Sequence, residues 1–281
     1  MNSLKFLPNL KIFISAYIVL LWLTVDISLV YSEEMSVDAI VHNTNRTSYY
    51  QGKDGRAQVK MTITDKQGRE RQRRFTILRR DMEPNREQSA DFTGDQKFYV
   101  YFHRPADVNK TVFLVWKHPG KDDDRWLYLP ALDLVNRIAA GDERTSFVGS
   151  HFFYEDVSGR SPDEDDHELI ETTDNYYVLK NTPKEPDSVE FSYYKAWIHR
   201  KTFIPIKVEY YGKTGEKYRI AQALKVDTIQ GFPTVMKAQM EDLRSGGKTT
   251  IDYSKVEYNL SLPEDIFTER YLRNPPRKYL R

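Results

Sequence analysis

The sequence predicts a mainly antiparallel β protein (α+β), an open or half-closed β-barrel of about ten or eleven strands capped by short helices. Three observations carry this. Segments in which apolar and polar side chains alternate follow one another from Gln58 to Tyr258, the pattern of strands with one face in a core. Turn chemistry separates them: His118-Pro119-Gly120, Gly212-Lys213-Thr214-Gly215, Gly231-Phe232-Pro233 and Ser245-Gly246-Gly247 all favour tight reversals. No helix of crossover length lies between consecutive strands, so the sheet should be antiparallel.

In chain order, residues 1–32 read as a secretory signal. Lys5 and Lys11 give a positive start, Ile12–Thr24 is an almost unbroken apolar run, and Val30-Tyr31-Ser32 suits cleavage before Glu33. The alternative is an uncleaved anchor in the inner membrane, although Asp26 interrupts a run already short for a span. Cleavage leaves 33–281 as one domain, since no repeat or composition break divides it.

Ser36–Thr44 is predicted helical, with Val37, Ile40 and Val41 on one face. Gln58–Leu78 reads as a hairpin: Val59, Met61 and Ile63 alternate, Asp65-Lys66-Gln67-Gly68 turns, and Phe75 and Ile77 return. Arg69, Arg71 and Arg73 share one face of the returning strand. Met82–Thr93 is polar, a loop or weak helix. Strands follow over Lys97–His103, Thr111–Lys117 and Arg125–Pro130, then Tyr176–Lys180, Glu190–Ile198, Ile206–Tyr211, Tyr218–Lys225, Thr234–Asp242 and Thr249–Tyr258. Pro263–Tyr271 is expected to be a final helix, with Pro and acids in its first turn. The tail Asn274–Arg281 is basic.

The aromatic centre of the chain is Asp124–Val157. Its strand puts Trp126, Tyr128 and Pro130 on one face and Leu127 and Leu129 on the other, and Gly141-Asp142 turns. Phe147, Phe152, Phe153 and Tyr154 close the stretch. Such a run fits ordinary core strands, or a wide apolar wall with more aromatic surface than a small core needs.

Composition excludes several functions. The chain has no cysteine, so thiolate metal sites and cysteine nucleophiles are ruled out, as is a lipid-modified cysteine at the cleavage site. The 42 basic and 41 acidic residues balance once Lys5, Lys11 and Asp26 leave with the leader, which argues against a nucleic-acid partner. Charge is nevertheless segregated into a basic Arg56–Arg80 and an acidic Glu155–Glu190. Asp163–Glu168 lacks the spaced ligands and glycine of a calcium loop, and no histidine spacing suits a metal. Ser150 and His151 are adjacent, so on a strand they face opposite ways and cannot act as nucleophile and base. No GxSxG, P-loop or GxGxxG occurs, and the sequons at Asn45, Asn109 and Asn259 are of a kind frequent by chance, which a bacterial origin would make idle. Neither an enzyme nor a cofactor is expected.

The run WLYLPAL…VNRI…SFVGSHFFYEDV, from Trp126 to Val157, resembles the central motif of the outer-membrane lipoprotein-sorting family, the LolA-like periplasmic carriers. The likeness extends from Ala39 to Arg273 and takes in Arg79-Arg80-Asp81 and the ending LPEDIFTERYLR. One departure is His151, where the family usually has an acidic residue after the Gly-Ser pair. The resemblance implies a monomeric periplasmic carrier of lipoprotein or lipid cargo. A resistance-nodulation-division (RND) exporter would work beside it and an outer-membrane acceptor would receive the cargo. An acyl cavity would then be lined in part by Trp126, Tyr128, Phe147, Phe152 and Tyr154. Helical flaps over its mouth would be Ser36–Thr44, Leu132–Ala140 and Pro263–Tyr271, with Arg137 as a latch on backbone carbonyls. The alternative is an accessory module that binds a transporter's periplasmic domain through its charged faces.

Overall fold

The computed structural model describes residues 35–82 and 93–281. The leader and nearly all of the polar Met82–Thr93 segment lie outside the described residues. The chain opens with α1 (Val37–Tyr49), and Ser36 Oγ accepts the Ala39 N–H at 3.2 Å as its N-cap. The helix runs five residues beyond the predicted Thr44, through a polar stretch without apolar periodicity. Its end is fixed instead by side chains from the sheet, described below.

Thirteen strands follow: β1 (Asp54–Thr64), β2 (Glu70–Asp81), β3 (Gln96–Arg104), β4 (Val112–Lys117), β5 (Asp124–Leu129), β6 (Leu134–Ile138), β7 (Asp165–Thr172), β8 (Tyr176–Pro183), β9 (Phe191–His199), β10 (Pro205–Gly212), β11 (Lys217–Ile229), β12 (Phe232–Asp242) and β13 (Gly247–Tyr258). Short helices α2 (Glu155–Ser158) and α3 (Arg270–Arg273) complete the set. All thirteen strands belong to one antiparallel sheet ordered β6-β5-β4-β3-β2-β1-β13-β12-β11-β10-β9-β8-β7. Every neighbour is consecutive in sequence except β1 and β13, so the first and last of the described strands meet in the middle of the sheet. The sheet is open: β6 and β7 are its edges, and they do not pair.

The two strands beyond the expected eleven are those edges. Leu132–Ala140, expected as a helix, contains β6, and the acidic run from Asp163 leads into β7. An edge strand has a partner on one side only and little cover on its faces, so its apolar alternation is weak. Burial in β7 confirms this, since five of its eight residues are exposed.

The β1–β2 turn shows why the sequence reverses where it does. Asp65 Oδ1 accepts the N–H groups of Gln67 and Arg69 at 2.9 and 3.0 Å, and Gly68 sits at φ +80°, a conformation open to glycine.

Alternation then sorts side chains onto two faces. In β3, Phe98, Val100 and Phe102 join one core cluster, with Phe75, Phe113 and Phe147. Tyr99 joins another, with Leu114, Trp126 and Phe267. The second cluster is covered by the C-terminal segment: Trp116 Nε1 donates to the Phe267 carbonyl at 2.7 Å and the Tyr99 hydroxyl to the Tyr271 carbonyl at 2.7 Å. A third cluster packs Ile40 of α1 against Tyr177, Leu179 and Ile198.

A cavity between helix and sheet

The end of α1 and strands β1, β2 and β10–β13 line a half-open cavity of about 420 Å³. Its wall is largely apolar, with Ala57, Ile77, Val208, Ala238 and Met240 contributed by five different strands. The volume falls within the range of small-molecule sites, about 300–1,000 Å³.

Polar groups at the wall are neutral or paired. Burial pushes the Tyr210 and Tyr253 hydroxyls up to about 12. Burial, reinforced by Asp156, raises Tyr49 further still. All three hydroxyls therefore keep their protons at neutral pH. The Asp156 carboxylate is bonded by Arg219, whose side chain is 2 % exposed, and Arg56 pairs with Glu257. A hydrocarbon in this space meets no uncompensated charge.

One wall is a strap, residues 139–164, that crosses from β6 to β7. It is held by a buried ionic lattice. Arg144 takes both oxygens of Glu190 at 2.6 and 2.8 Å and also bonds Glu155. Arg160 reaches Asp165 at 3.1 Å, and Lys117 Nζ donates to the Ser158 carbonyl at 2.7 Å. Burial pushes Glu155 up to about 7 against the pull of both arginines, whereas the Arg144 bond holds Glu190 down at about 2 despite burial. Glu155, Asp156, Asp165 and Glu190 are thus paired inside the fold, while the other acids of the Glu155–Glu190 stretch are exposed.

His151 sits on this strap. Both its backbone N–H and its Nδ1 meet Thr249 Oγ1, at 3.0 and 2.8 Å, and burial lowers the imidazole. The residue thus fastens the strap to β13.

The residues singled out from sequence separate into three places. Phe152 lines the cavity. Phe147 and Tyr154 stand behind it in the buried aromatic cluster, their rings 5.6 Å apart and perpendicular. Trp126 and Tyr128 do not line it: alternation in β5 sends Leu127 to the Phe147 cluster and turns these two to the other face of the sheet. There Trp126 packs 4.9 Å from Trp116, and the Tyr128 hydroxyl donates to Asp133 at 3.2 Å. Arg137 lies on β6, a strand rather than a flap helix. Its side chain is 68 % exposed and pairs with the Asp124 carboxylate, not with backbone carbonyls.

A different arginine binds the carbonyls that end a helix. Arg79 of β2 donates to the carbonyls of Tyr49, Gln51 and Gly52 beyond the last turn of α1. Gln96 Nε2 joins it on the Tyr49 carbonyl at 2.8 Å and on Asp81 Oδ1 at 2.7 Å. The helix end has orphan carbonyls, and a guanidinium satisfies several at once. The sequence signal was Arg79-Arg80-Asp81, visible as a motif but with no indication of what it would meet.

The fold is one that solved structures of other proteins also adopt. Three solved structures share it. A DUF1329 family protein from Desulfovibrio piger is 29% identical, with a TM-score of 0.74 over 84% of this chain and 98% of that one. A domain from Vibrio parahaemolyticus, provisionally described as an outer membrane lipoprotein-sorting protein, is 23% identical, with a TM-score of 0.72 over 83% and 97%. A LolA superfamily protein from Nitrosomonas europaea is 20% identical, with a TM-score of 0.62 over 85% and 100%. No curated protein matches the sequence. The family model for DUF1329-like proteins, described as uncharacterized, matches residues 94–274, and the chain belongs to that family, with a fold shared by a LolA superfamily protein.

Proposed function

We propose that this protein is a periplasmic carrier that shelters the acyl chains of a lipoprotein or lipid between α1 and the curved sheet. The observation that supports the reading best is the cavity of about 420 Å³, apolar in its wall and with its charged groups paired. Each methylene moved from water into such a space gains about 0.8 kcal/mol, so a single acyl chain binds without specific polar contacts. The open sheet then works as a half-closed barrel. Phe152 is its aromatic contact, with Phe147 and Tyr154 fixing that wall from behind, while Trp126 and Tyr128 hold the C-terminal segment.

The role is binding rather than catalysis, and no cofactor takes part. Export through the leader over residues 1–32, a monomeric carrier of residues 33–281, an RND-type exporter beside it and an outer-membrane acceptor complete the proposal. It gains from the fold shared with a described lipoprotein-sorting domain.

The accessory-module reading rests on two exposed charged faces, the basic end of the first hairpin with Lys66, Arg69, Arg71 and Arg74, and an acidic one with Asp166, Glu168, Glu171 and Asp174. Mass spectrometry of the gently purified protein separates the two readings. Co-purifying lipid supports the carrier. A lipid-free protein that captures a transporter's periplasmic domain in a salt-sensitive way supports the module.

A further inference from the structure

The sheet is not continuous around the cavity. β12 pairs with β13 only from Lys237 to Asp242, against Gly247–Asp252. From Tyr253 onward β13 pairs with β1 alone. On its other side, β11 pairs with β10 only as far as Gln222. Residues 223–236 therefore form a two-stranded arm whose flanks carry no ladder bonds, joined to the sheet only at its base. Two local features open the fork. Lys255 takes a left-handed conformation, φ 48°, where the β1–β13 register slips, which bends β13 away. Pro233 has no N–H to offer a neighbour.

The arm forms part of the cavity's wall. Ala223, Pro233, Thr234 and Val235 line it from the arm, and Val256 and Tyr258 from the far rim of the fork. Leu224 and Val226 are 46 % and 41 % exposed. What spans the fork is a clasp of side chains centred on Tyr258. Its hydroxyl is 2.9 Å from Thr234 Oγ1, its N–H donates to Gln230 Oε1 at 2.7 Å, and Gln230 Nε2 donates back to its carbonyl at 3.2 Å. Its ring meets Phe232 edge-on at 5.0 Å. Gln51, just past α1, donates to the Pro233 carbonyl at 2.7 Å.

We propose that the β11–β12 arm is the gate of the cavity, and that hydrocarbon enters and leaves through the fork between β12 and β13 when the clasp on Tyr258 parts. An isolated two-stranded ribbon is marginal in water, so this arm opens at far lower cost than any strand bonded on both sides. Side-chain bonds can be exchanged for water one by one, whereas lifting a whole helix exposes its entire buried face. The inference rests on the carrier reading and locates its moving part in the sheet.

The test uses pyrene-labelled palmitate and hydrogen exchange on the mature chain. In the wild type, arm amides 223–229 should exchange faster than ladder amides 217–222 when empty and gain protection when loaded. The double variant Thr234→Val with Tyr258→Phe keeps the shapes and removes the hydroxyl bond. Its association and dissociation rates should both rise, roughly fivefold to tenfold, with little change in Kd. A variant whose arm exchanges faster while palmitate enters and leaves at wild-type rates overturns the gate and leaves the carrier standing. If the variant does not fold, the wild-type exchange decides: arm amides as protected as the ladder, and unchanged by loading, overturn the gate. A wild type that binds no palmitate overturns the carrier reading and the gate together.

Discussion

Arg79 and Gly52 are joined beside the cavity: the guanidinium on β2 donates to the Gly52 carbonyl at 2.6 Å, just past the end of α1. The same group reaches the Tyr49 and Gln51 carbonyls. One guanidinium thus ties the end of the helix to the sheet, with Gln96 beside it on the Tyr49 carbonyl. Burial lowers the Arg79 pKa, with Asp81 opposing the shift, yet an arginine stays charged under any ordinary condition.

Arg79→Leu should leave those carbonyls without their donor and cost about 2–4 kcal/mol. Urea unfolding measures the loss, and hydrogen exchange should show fraying confined to the last turns of α1. Arg79→Lys should recover only part of it, because an ammonium lacks the planar fork. Equal stability of Leu and Arg at this position would refute the clamp.

Arg137→Leu should behave differently. The residue is exposed, pairs with Asp124 and lies 5.9 Å over the Trp126 ring, so stability should move by no more than about 0.5 kcal/mol. Palmitate loading and transfer to acceptor vesicles should match the wild type. A variant that loads normally but transfers poorly would restore Arg137 to the release mechanism.

Ala238→Phe fills the cavity from β12. Wild-type unfolding behaviour with a loss of palmitate affinity of about tenfold or more is expected, because the added ring takes the ligand's space. Trp126→Ala is the converse. It should cost roughly 3–5 kcal/mol through the core under the C-terminal segment, while palmitate affinity of the folded protein stays unchanged. Weakened binding in the Trp126 variant would mean that the two faces are coupled.

Stability should depend on pH through Glu155 and Glu190 in opposite senses. Glu155 is raised from 4.5 to about 7, so the folded state holds its proton more tightly, and stability falls as pH rises from 4.5 through about 7. Glu190 is lowered to about 2, so its contribution is present above 4.5 and lost as pH falls towards about 2. Urea melts of Glu155→Gln should lack the first slope, worth on the order of 2 kcal/mol. Parallel pH profiles for wild type and variant would show that Glu155 does not titrate in this window.

How much was legible in the sequence follows from the range of each interaction. Eleven of the thirteen strands, the Asp65–Gly68 turn and the opposed faces of Trp126 and Leu127 were determined locally, because side-chain period and turn conformation depend on neighbours in the chain. The end of α1 was not. Its carbonyls are met by Arg79 and Gln96 from strands that begin more than twenty residues later, and nothing in the helix announces them. The edge strands β6 and β7 were hidden for a related reason, since pairing on one side imposes little hydrophobic pattern. The tertiary structure alone decided which aromatic residues face the cavity. Phe152 and Trp126 carry equally apolar rings, but a strand's two faces look alike in sequence when both are buried. Only the path of the C-terminal segment, packed over Trp126, leaves the other side to the cavity.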